Sequence, residues 1–184
     1  MVWMSPWCCT YGTDGWAVGW GREVLHWNGS AWKKVQAPAN SIYYDVDALS
    51  RTDVWAAGGF STFAHWNGSA WSSVKGSANA AGISMLSADN GWAAGSSGRI
   101  FHWNGSAWGD AASPTTRSFT GIAMQSATRG WAVGAQRTVA SWNGSAWSLD
   151  TVPAGSNTLY GVTAIGANEA WAFGSSGLIL NWNG

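Results

Sequence analysis

Pairs of tryptophans recur along the chain at one fixed spacing, and this repetition constrains the fold more than any other feature of the sequence. In each pair the second tryptophan follows the first by eleven residues and opens the tripeptide Trp-Asn-Gly. Successive pairs are 39, 37, 39 and 40 residues apart, a spacing typical of solenoids and propellers. The pairs are Trp16 and Trp27, Trp55 and Trp66, Trp92 and Trp103, Trp131 and Trp142, and Trp171 and Trp182.

The two ends of the chain complete one shared repeat. In four repeats a third tryptophan stands five residues after the second, at Trp32, Trp71, Trp108 and Trp147. The fifth repeat breaks off at Gly184, and joining it to Met1 restores the same five-residue interval at Trp3. A solenoid has two unlike ends that each need a cap, whereas two halves of one repeat are what a closed ring requires. The sequence therefore predicts a ring of five units.

Alternation and turn residues divide each unit into four antiparallel strands, A to D. In the last unit these are residues 159–165, 170–173 and 178–182, and residues 1–4 supply strand D. Asn-Gly between strands C and D predicts a two-residue type I′ turn, because both residues tolerate a positive φ. Strand B is expected to end at a glycine in every unit, at Gly19, Gly58, Gly95, Gly134 and Gly174.

Four such strands arranged around an axis form a propeller blade. We therefore predict an all-β fold, a closed five-bladed β-propeller of four-stranded antiparallel blades whose N-terminal strand completes the last blade. The prediction is a single domain over residues 1–184, with repeat units of approximately 1–29, 30–68, 69–105, 106–144 and 145–184.

Charge composition argues against some classes of partner. The formal net charge is +0, only 10% of residues are charged, and nine Lys and Arg are spread over five units. Nucleic acid would require a basic stripe that so few cations do not supply. No apolar run is long enough to cross a bilayer, so we expect no membrane insertion. The oligomeric state is left open.

Most of the 17 tryptophans are expected to be packing residues. Three per repeat occupy equivalent positions on strands B, C and D, which accounts for fifteen, and no other apolar side chains of that size are available to fill a blade. Trp7 aligns with apolar strand A residues and is expected in the core. Trp20 stands in the turn between strands B and C, where the other units have Gly59, Ser96, Ala135 and Ser175, and is a candidate ligand contact.

Histidines and cysteines do not predict a metal site. His26, His65 and His102 each precede a strand C tryptophan, so they lie on different blades, too far apart to share one ion. Each is expected on the strand face opposite that tryptophan. Cys8 and Cys9 are adjacent on strand A and are expected to be free thiols in the core.

Asp45 and Asp47, on strand A of the second unit, raise the question of glycoside hydrolysis. Two carboxyl groups about 5–9.5 Å apart could flank a glycosidic bond. However, both stand on one strand, and no other strand A carries an acid. We therefore expect no enzymatic activity, and no cofactor is expected.

The repeat resembles a known family. Gly-Trp-Ala-Val-Gly at residues 15–19 and 130–134, Ala-Trp-Ala-Phe-Gly at 170–174 and Ser-Ser-Gly-Leu-Ile-Leu at 175–180 are similar to repeats of photosystem II assembly factor-like and sialidase-type Asp-box propellers. The sequence departs from the Asp-box at residues 28–32, where Asn-Gly-Ser-Ala-Trp is one residue shorter and lacks the acid. The resemblance implies binding rather than catalysis and favours a secreted or cell-surface bacterial location.

Length variation indicates where a ligand would bind. The distances from strand B to C and from C to D are fixed, whereas the distance from a strand D tryptophan to the next strand B tryptophan runs 13, 23, 21, 23 and 24 residues. Variation is thus confined to the D to A loops, which share one face of a propeller with the B to C turns. Our candidate ligand-binding residues on that face are Trp20, Arg22, Tyr43, Tyr44, Phe60, Arg99, Arg137 and Tyr160.

Two functions fit these residues. One is a non-enzymatic scaffold that binds a protein or peptide through the face carrying the D to A and B to C loops. The alternative is a carbohydrate-binding lectin with aromatic sites between blades. A multivalent lectin would repeat its site once per blade, whereas the candidate residues differ from blade to blade, which favours one asymmetric protein-binding site.

Overall fold

Five antiparallel sheets, each built from consecutive strands, make up the computed structural model of this chain. The structure describes residues 4–19, 23–38 and 41–183, with only the backbone described for residues 4–11. Within these ranges the chain is all-β, as predicted, and the helical segments are three short 3₁₀ turns, Ser96–Gly98, Ala135–Arg137 and Ser175–Gly177. None of these turns is long enough to cross a membrane.

The strands follow one another in chain order from sheet to sheet. Sheet 1 contains β1 (Met4–Tyr11), β2 (Asp14–Gly19), β3 (Val24–Trp27) and β4 (Trp32–Val35). Sheet 2 contains β5 (Tyr43–Ser50), β6 (Asp53–Gly58), β7 (Thr62–Trp66) and β8 (Trp71–Lys75). Sheet 3 contains β9 (Ala80–Ser87), β10 (Asn90–Gly95), β11 (Ile100–Trp103) and β12 (Trp108–Ala111). Sheet 4 contains β13 (Phe119–Ser126), β14 (Arg129–Gly134), β15 (Val139–Trp142) and β16 (Trp147–Leu149), and sheet 5 contains β17 (Leu159–Gly166), β18 (Glu169–Gly174) and β19 (Ile179–Trp182).

The first strands of neighbouring sheets contact one another, so they form the inner layer of the molecule. Contacts join β1 to β5, β5 to β9, β9 to β13 and β13 to β17. The predicted strand positions of the last unit agree with β17, β18 and β19, and the second strand of every sheet ends at the predicted glycine. The predicted fourth strand of sheet 5 lies outside the described residues except for Met4, which begins β1 and pairs with Gly19. Closure of the ring stays a prediction.

The turns between the third and fourth strands differ from the sequence prediction. In sheet 1 the strands pair up to Trp27 and Trp32, which leaves a four-residue connection instead of a two-residue type I′ turn. Only Gly29 has a positive φ there, of 93°. The Asn28 side chain explains the difference, because its Oδ1 accepts hydrogen bonds from the backbone N–H groups of Ser30 and Ala31 and stabilises the longer turn.

The glycine that ends the second strand in sheets 2 to 5 is required by close packing rather than by an unusual φ. Gly95 has an extended backbone, with a φ of −164°. A Cβ at this position would lie 2.0 Å from the carbonyl oxygen of Asn79, and one at Gly134 would lie 2.1 Å from that of Ser118. No other residue leaves room for the chain segment that leads into the first strand of the same sheet.

Neighbouring sheets are held together by a repeated cluster of tryptophans. The second-strand tryptophan of one sheet packs against the third- and fourth-strand tryptophans of the next, and this second-strand ring is at most 6% exposed in sheets 1 to 4. The ring centroids are 5.0 Å apart for Trp16 and Trp66, 5.1 Å for Trp16 and Trp71, 4.7 Å for Trp55 and Trp103, 5.9 Å for Trp55 and Trp108, 4.6 Å for Trp92 and Trp142, 5.6 Å for Trp92 and Trp147, and 6.4 Å for Trp131 and Trp182. Each hydrophobic core therefore spans two neighbouring sheets.

The three histidines support these tryptophans from the neighbouring strand. Each histidine ring packs against the second-strand tryptophan of its own sheet and lies within hydrogen-bond distance of the residue that begins that strand. His26 is 4.3 Å from Trp16 and its Nε2 is 2.7 Å from an Asp14 oxygen. His65 contacts Trp55 and Asp53 in the same way, at 4.2 and 2.9 Å, and His102 contacts Trp92 and Asn90, at 4.5 and 3.0 Å. The histidines thus fix the orientation of buried indole rings.

Truncation of a tryptophan in an intersheet cluster should strongly destabilise the fold. We expect Trp92→Ala to lower the free energy of unfolding by about 3–5 kcal/mol, because it removes a large buried ring from between two sheets. Denaturant unfolding followed by circular dichroism measures this change. Ile165→Ala is the control, because Ile165 is 64% exposed and its truncation should cost little. Equal effects of the two substitutions would contradict the assignment of the core.

Candidate ligand-binding face

The loops that enter the first strands and the turns between the second and third strands lie at the same end of the sheets. Backbone hydrogen bonds join the two sets, with the N–H of Gly59 donating to the carbonyl of Ile42 over 2.8 Å and that of Ser175 donating to Thr158 over 2.8 Å. Sheets 3 and 4 have the same bond, from Ser96 to Asn79 and from Ala135 to Ser118. We call this end of the molecule the loop face. The predicted adjacency of these two sets of loops is therefore present in sheets 2 to 5.

A cavity of about 700 Å³ lies between the inner strands of sheets 2 to 5, near the loop face. Its wall includes the second residues of β5, β13 and β17, which are Tyr44, Thr120 and Tyr160. Phe173 and Asp45 also line it. We call this space the axial cavity. Its lining combines apolar and aromatic surface with a few hydroxyl and carboxyl groups, the composition typical of a ligand pocket.

The two inner-strand aspartates bridge sheet 2 to sheet 3. Asp45 accepts hydrogen bonds from the backbone N–H of Val46 and, across the sheet boundary, from that of Ile83, both over 2.9 Å. Asp47 repeats this arrangement, accepting from Ala48 over 2.8 Å and from Met85 over 2.7 Å. Each carboxylate oxygen thus has a backbone donor. The geometry explains why two acids stand on one strand, since each links two neighbouring first strands.

Burial changes the protonation of these acids. It raises the pKa of Asp45 from 3.8 to about 7, against the opposing effect of the backbone donors Ile83 and Val46, and the nearby Asp47 charge raises the pKa further. Burial also raises the pKa of Asp47. Asp45 is surrounded by protein atoms although part of its surface faces the axial cavity. The cavity wall therefore carries a carboxyl group that exchanges its proton near neutral pH.

A second cavity, of about 370 Å³, opens between the loop that leads into β13 and the loop that leads into β17. The loop of residues 150–158 forms one side, and Arg117 and Arg137 contribute the cations. The Arg137 guanidinium donates to the carbonyl groups of Pro153 and Ala154, at 3.1 and 2.9 Å, and to Asn157 Oδ1 at 2.7 Å. Arg137 therefore holds this loop in place. We call this space the sheet 4 cleft.

Asp150 adds an acceptor to the sheet 4 cleft. Its Oδ1 accepts a hydrogen bond of 2.7 Å from the Ser141 hydroxyl, whereas its Oδ2 is buried without a hydrogen-bond partner among the described residues. Burial raises the pKa of this carboxyl group, against the lowering effects of the Ser141 hydrogen bond and the Arg129 charge.

The turns of the loop face store backbone strain. Non-glycine residues with a positive φ occur, within the described part of the chain, only in the turns between second and third strands. Gln136 and Arg137 are consecutive residues of this kind, with φ of 55° and 54°. Strained backbone of this type costs about 1–3 kcal/mol per residue and tends to be retained at functional sites. In sheets 3 and 5 the position of Arg137 is occupied by Gly98 and Gly177, which adopt positive φ without strain.

The structure places five of the sequence-predicted site residues in four different settings. Tyr44 and Tyr160 both line the axial cavity, Arg137 lines the sheet 4 cleft, and Phe60 is 69% exposed on a loop-face turn. Arg99 is engaged by Asp110 and by the Ser77 hydroxyl, at 2.5 and 2.8 Å.

The remaining sequence-predicted site residues are Tyr43, Trp20 and Arg22. Tyr43 is 0% exposed and belongs to the core between sheets 1 and 2, so we remove it from the candidate set. It is the first residue of β5, and its side chain points away from the cavity that its neighbour Tyr44 lines. Trp20 and Arg22 lie outside the described residues.

Sequence reasoning missed four residues that line these cavities. Thr120 was not identified because a single threonine in a strand does not by itself indicate a binding site. Its hydroxyl donates to the Leu159 carbonyl of the next sheet over 2.5 Å. Arg117 and Asp150 lie in loops without repeat partners, so alignment of the repeats could not single them out. Asp45 was weighed as an acid of a hydrolase, and its place in the cavity wall depends on contacts between sheets. No group of three or more His, Cys, Asp or Glu suited to a metal ion occurs among the residues that the structure describes.

The fold is shared with solved β-propeller structures. The structure of YCF48 bound to D1 peptide aligns with a TM-score of 0.70 and 17% identity over 98% of this chain and 62% of that chain. The RRP9 WD40 repeats align with a TM-score of 0.73 and 15% identity over 92% and 59%. YCF48 from Cyanidioschyzon merolae aligns with a TM-score of 0.71 and 13% identity over 93% and 66%.

These similarities establish the architecture. The chain spans less than two thirds of the length of each of these three proteins. No protein-family model and no curated protein matches the sequence. At identities of 13–17% the likeness shows the fold alone, and the chain has a β-propeller fold.

The raised pKa of Asp45 predicts a pH dependence of stability. Between about pH 4 and about pH 7 the folded protein holds the Asp45 proton that the unfolded chain has already released, so the free energy of unfolding falls as pH rises through this interval and stays lower above it. Asp45→Asn cannot ionise and should lose this component. We expect the drop in melting temperature between about pH 5 and about pH 8 to be smaller in the variant.

Thermal unfolding followed by circular dichroism at the two pH values measures the difference. His102 and Asp150 titrate in both proteins, so their contributions cancel, and the difference reports Asp45 together with its interaction with the Asp47 charge. Parallel melting-temperature profiles for the wild type and the variant would show that burial does not raise this pKa.

Proposed function

We propose that the chain is a non-enzymatic scaffold that binds a protein or peptide through the loop face. The observation that carries the proposal is the axial cavity, in which aromatic residues from different sheets, Tyr44 and Tyr160, converge beside the loops that vary most between repeats. A structurally similar protein, YCF48, has been solved bound to a peptide, which supports a peptide ligand for this architecture.

The chemistry of the two cavities suits a segment of polypeptide. Ile122, Val162 and Phe173 give the axial cavity an apolar wall for one anchoring side chain. In the sheet 4 cleft, Arg117 is exposed and offers a guanidinium to an acidic side chain. Both spaces lie at the loop face, so one extended segment can contact both.

Two observations support binding rather than catalysis. The oxygens of Asp45 and Asp47 are engaged by backbone N–H groups of two neighbouring strands, which assigns these acids a bridging role. The strained turn at Gln136 and Arg137 holds a loop instead of presenting a nucleophile or a general base.

The lectin alternative requires exposed aromatic rings between blades. At the four boundaries between successive sheets, the second-strand tryptophans Trp16, Trp55, Trp92 and Trp131 are at most 6% exposed. These rings are occupied in packing and are not free to stack on sugars. A single asymmetric site on the loop face agrees better with this distribution of aromatic residues.

Selection of peptides from a phage-displayed library on the immobilised wild-type protein tests the proposal. The selected peptide is then titrated calorimetrically into the wild type, Tyr44→Ala and Tyr160→Ala. We expect each substitution to weaken binding on the order of tenfold, because a buried aromatic anchor typically supplies a large share of the binding energy. Ser69→Ala is the matched control, since Ser69 is exposed at the end opposite the loop face, and should bind like the wild type.

A glycan array provides the opposing outcome. Binding of several free sugars by the wild type, unchanged in Tyr44→Ala and Tyr160→Ala, would favour the lectin and contradict the peptide scaffold. Failure to select any peptide that competes at the loop face would contradict it as well.

A further inference from the structure

The turn between β6 and β7, on the loop face, presents a phenylalanine ring to solvent. Phe60 is 69% exposed, more than any other large apolar side chain that the structure describes. Sheet 2 has a hydrophobic core on each side, shared with sheets 1 and 3, so this exposure arises from the position of the residue in the turn. The equivalent residues in sheets 3, 4 and 5 are polar, at Ser97, Gln136 and Ser176. The ring therefore gives sheet 2 a surface that the other described turns lack.

The backbone that carries this ring is strained. Phe60 and Ser61 have positive φ of 55° and 57°, a region in which the Cβ of an L residue crowds the backbone. Glycine adopts this region without that cost, and bulky residues rarely occupy it. Because the Phe60 ring is mostly exposed, its burial does not compensate for the strain. Strain without a gain in packing is concentrated at binding sites and switch regions.

Hydrogen bonds on both sides of the phenylalanine fix the turn. The Gly59 carbonyl accepts from the Ser41 hydroxyl over 2.8 Å. The Ser61 N–H donates to Asn79 Oδ1 over 3.2 Å, and the Ser61 carbonyl accepts from the N–H of Gly76 over 2.8 Å. These polar groups are engaged within the protein, so the turn offers a ligand chiefly the apolar ring. A ring held on a fixed backbone loses little conformational entropy on binding.

Tyr44 connects this turn to the axial cavity. The Tyr44 side chain lines the cavity, and a Cβ on Gly59 would lie 3.2 Å from its hydroxyl oxygen and 3.7 Å from two of its ring carbons. Tyr44 therefore packs against the residue that precedes Phe60, in space that the glycine leaves open. The cavity wall and the exposed phenylalanine are thus adjacent parts of the loop face.

We propose that Phe60 is a specificity-determining residue of the peptide-binding site and that it selects a ligand with two apolar anchors. One anchor enters the axial cavity beside Tyr44. The second is a bulky aliphatic or aromatic side chain, a few residues away along the peptide, that covers the Phe60 ring and removes apolar surface of both partners from water. The inference rests on the proposed function and specifies the ligand, since a peptide with one anchor would fill the cavity and leave Phe60 exposed.

Removal of the ring should have opposite effects on stability and on binding. We expect Phe60→Gly to weaken binding of the peptide selected on the wild type on the order of tenfold. The same substitution should raise the melting temperature by about 2–4 °C, because glycine relieves the strained φ and little burial is lost. Calorimetric titration and thermal unfolding followed by circular dichroism measure the two effects. Substitution of a residue needed only for the fold would lower both the affinity and the melting temperature.

Ser97→Gly is the matched control. Ser97 has a φ of 56° at the equivalent position of sheet 3 and is exposed, so glycine relieves the same type of strain there without removing an apolar ring. This variant should be at least as stable as the wild type, and it should bind the peptide like the wild type.

Substitutions in the peptide locate the second anchor. Each bulky apolar residue of the selected peptide is changed to alanine, and each variant peptide is titrated into the wild type, Tyr44→Ala and Phe60→Gly. We expect one peptide position to be coupled to Tyr44 and a different one to Phe60, with affinities that depart from additivity by about fivefold or more for each coupled pair.

Three results would overturn the inference. They are binding by Phe60→Gly that equals binding by the wild type, weaker binding accompanied by a lower melting temperature, and additive effects of Phe60→Gly with every peptide substitution. If Tyr44→Ala and Tyr160→Ala still weaken binding in these cases, the loop-face scaffold stands and only the second anchor is wrong. If neither of those substitutions weakens binding, the proposed function fails as well.

Discussion

The packing of one tryptophan against two others across each sheet boundary is the interaction on which the rest of the structure depends. A single small sheet of short strands has too little apolar mass to be stable alone. The four hydrophobic cores each draw residues from two neighbouring sheets, so every sheet is stabilised by its neighbours. This arrangement explains why the tryptophans keep their spacing along the chain while the loops change in length.

The bridges between inner strands supplement the tryptophan clusters and are chemically different at the three boundaries from sheet 2 to sheet 5. Sheets 2 and 3 are joined by carboxylates, with Asp45 and Asp47 accepting from backbone N–H groups. Between sheets 3 and 4 the Ser84 hydroxyl accepts from the N–H of Met124 over 3.0 Å. Between sheets 4 and 5 the Thr120 hydroxyl donates to the carbonyl of Leu159. The tryptophan contacts of the outer strands are thus repeated from boundary to boundary, whereas the hydrogen bonds between the inner strands differ. The residues that line the axial cavity belong to these inner strands and therefore differ from sheet to sheet.

The sequence predicted the parts of the structure that depend on local pattern. Strand order, the glycine at the end of each second strand and the burial of the second-strand tryptophans of sheets 1 to 4 follow from spacing, alternation and size, whereas Trp171 and Trp32, expected to be packed, are 39% and 44% exposed. Its failures arise where a side chain makes a contact that spacing does not reveal. Asn28 stabilises a longer turn through its own Oδ1, and Tyr43 is buried although its neighbour Tyr44 lines a cavity. Successive residues of a strand point to opposite sides, so a loop-face assignment could not separate these two tyrosines without the register of β5.

The attachment of the loop face to the sheets has a consequence for how this architecture diversifies. The bonds that tie the turns to the segments before the first strands, such as those from Gly59 to Ile42 and from Ser175 to Thr158, join main-chain atoms only. Some side chains of those segments add bonds to the same turns, since the Ser41 hydroxyl donates to the Gly59 carbonyl over 2.8 Å and the Asn157 amide donates to the Ser175 carbonyl over 3.1 Å. The exposed side chains that make none of these bonds can therefore change after gene duplication while the main-chain attachment persists, which makes the loop face a suitable place to introduce new surface chemistry without altering the sheets.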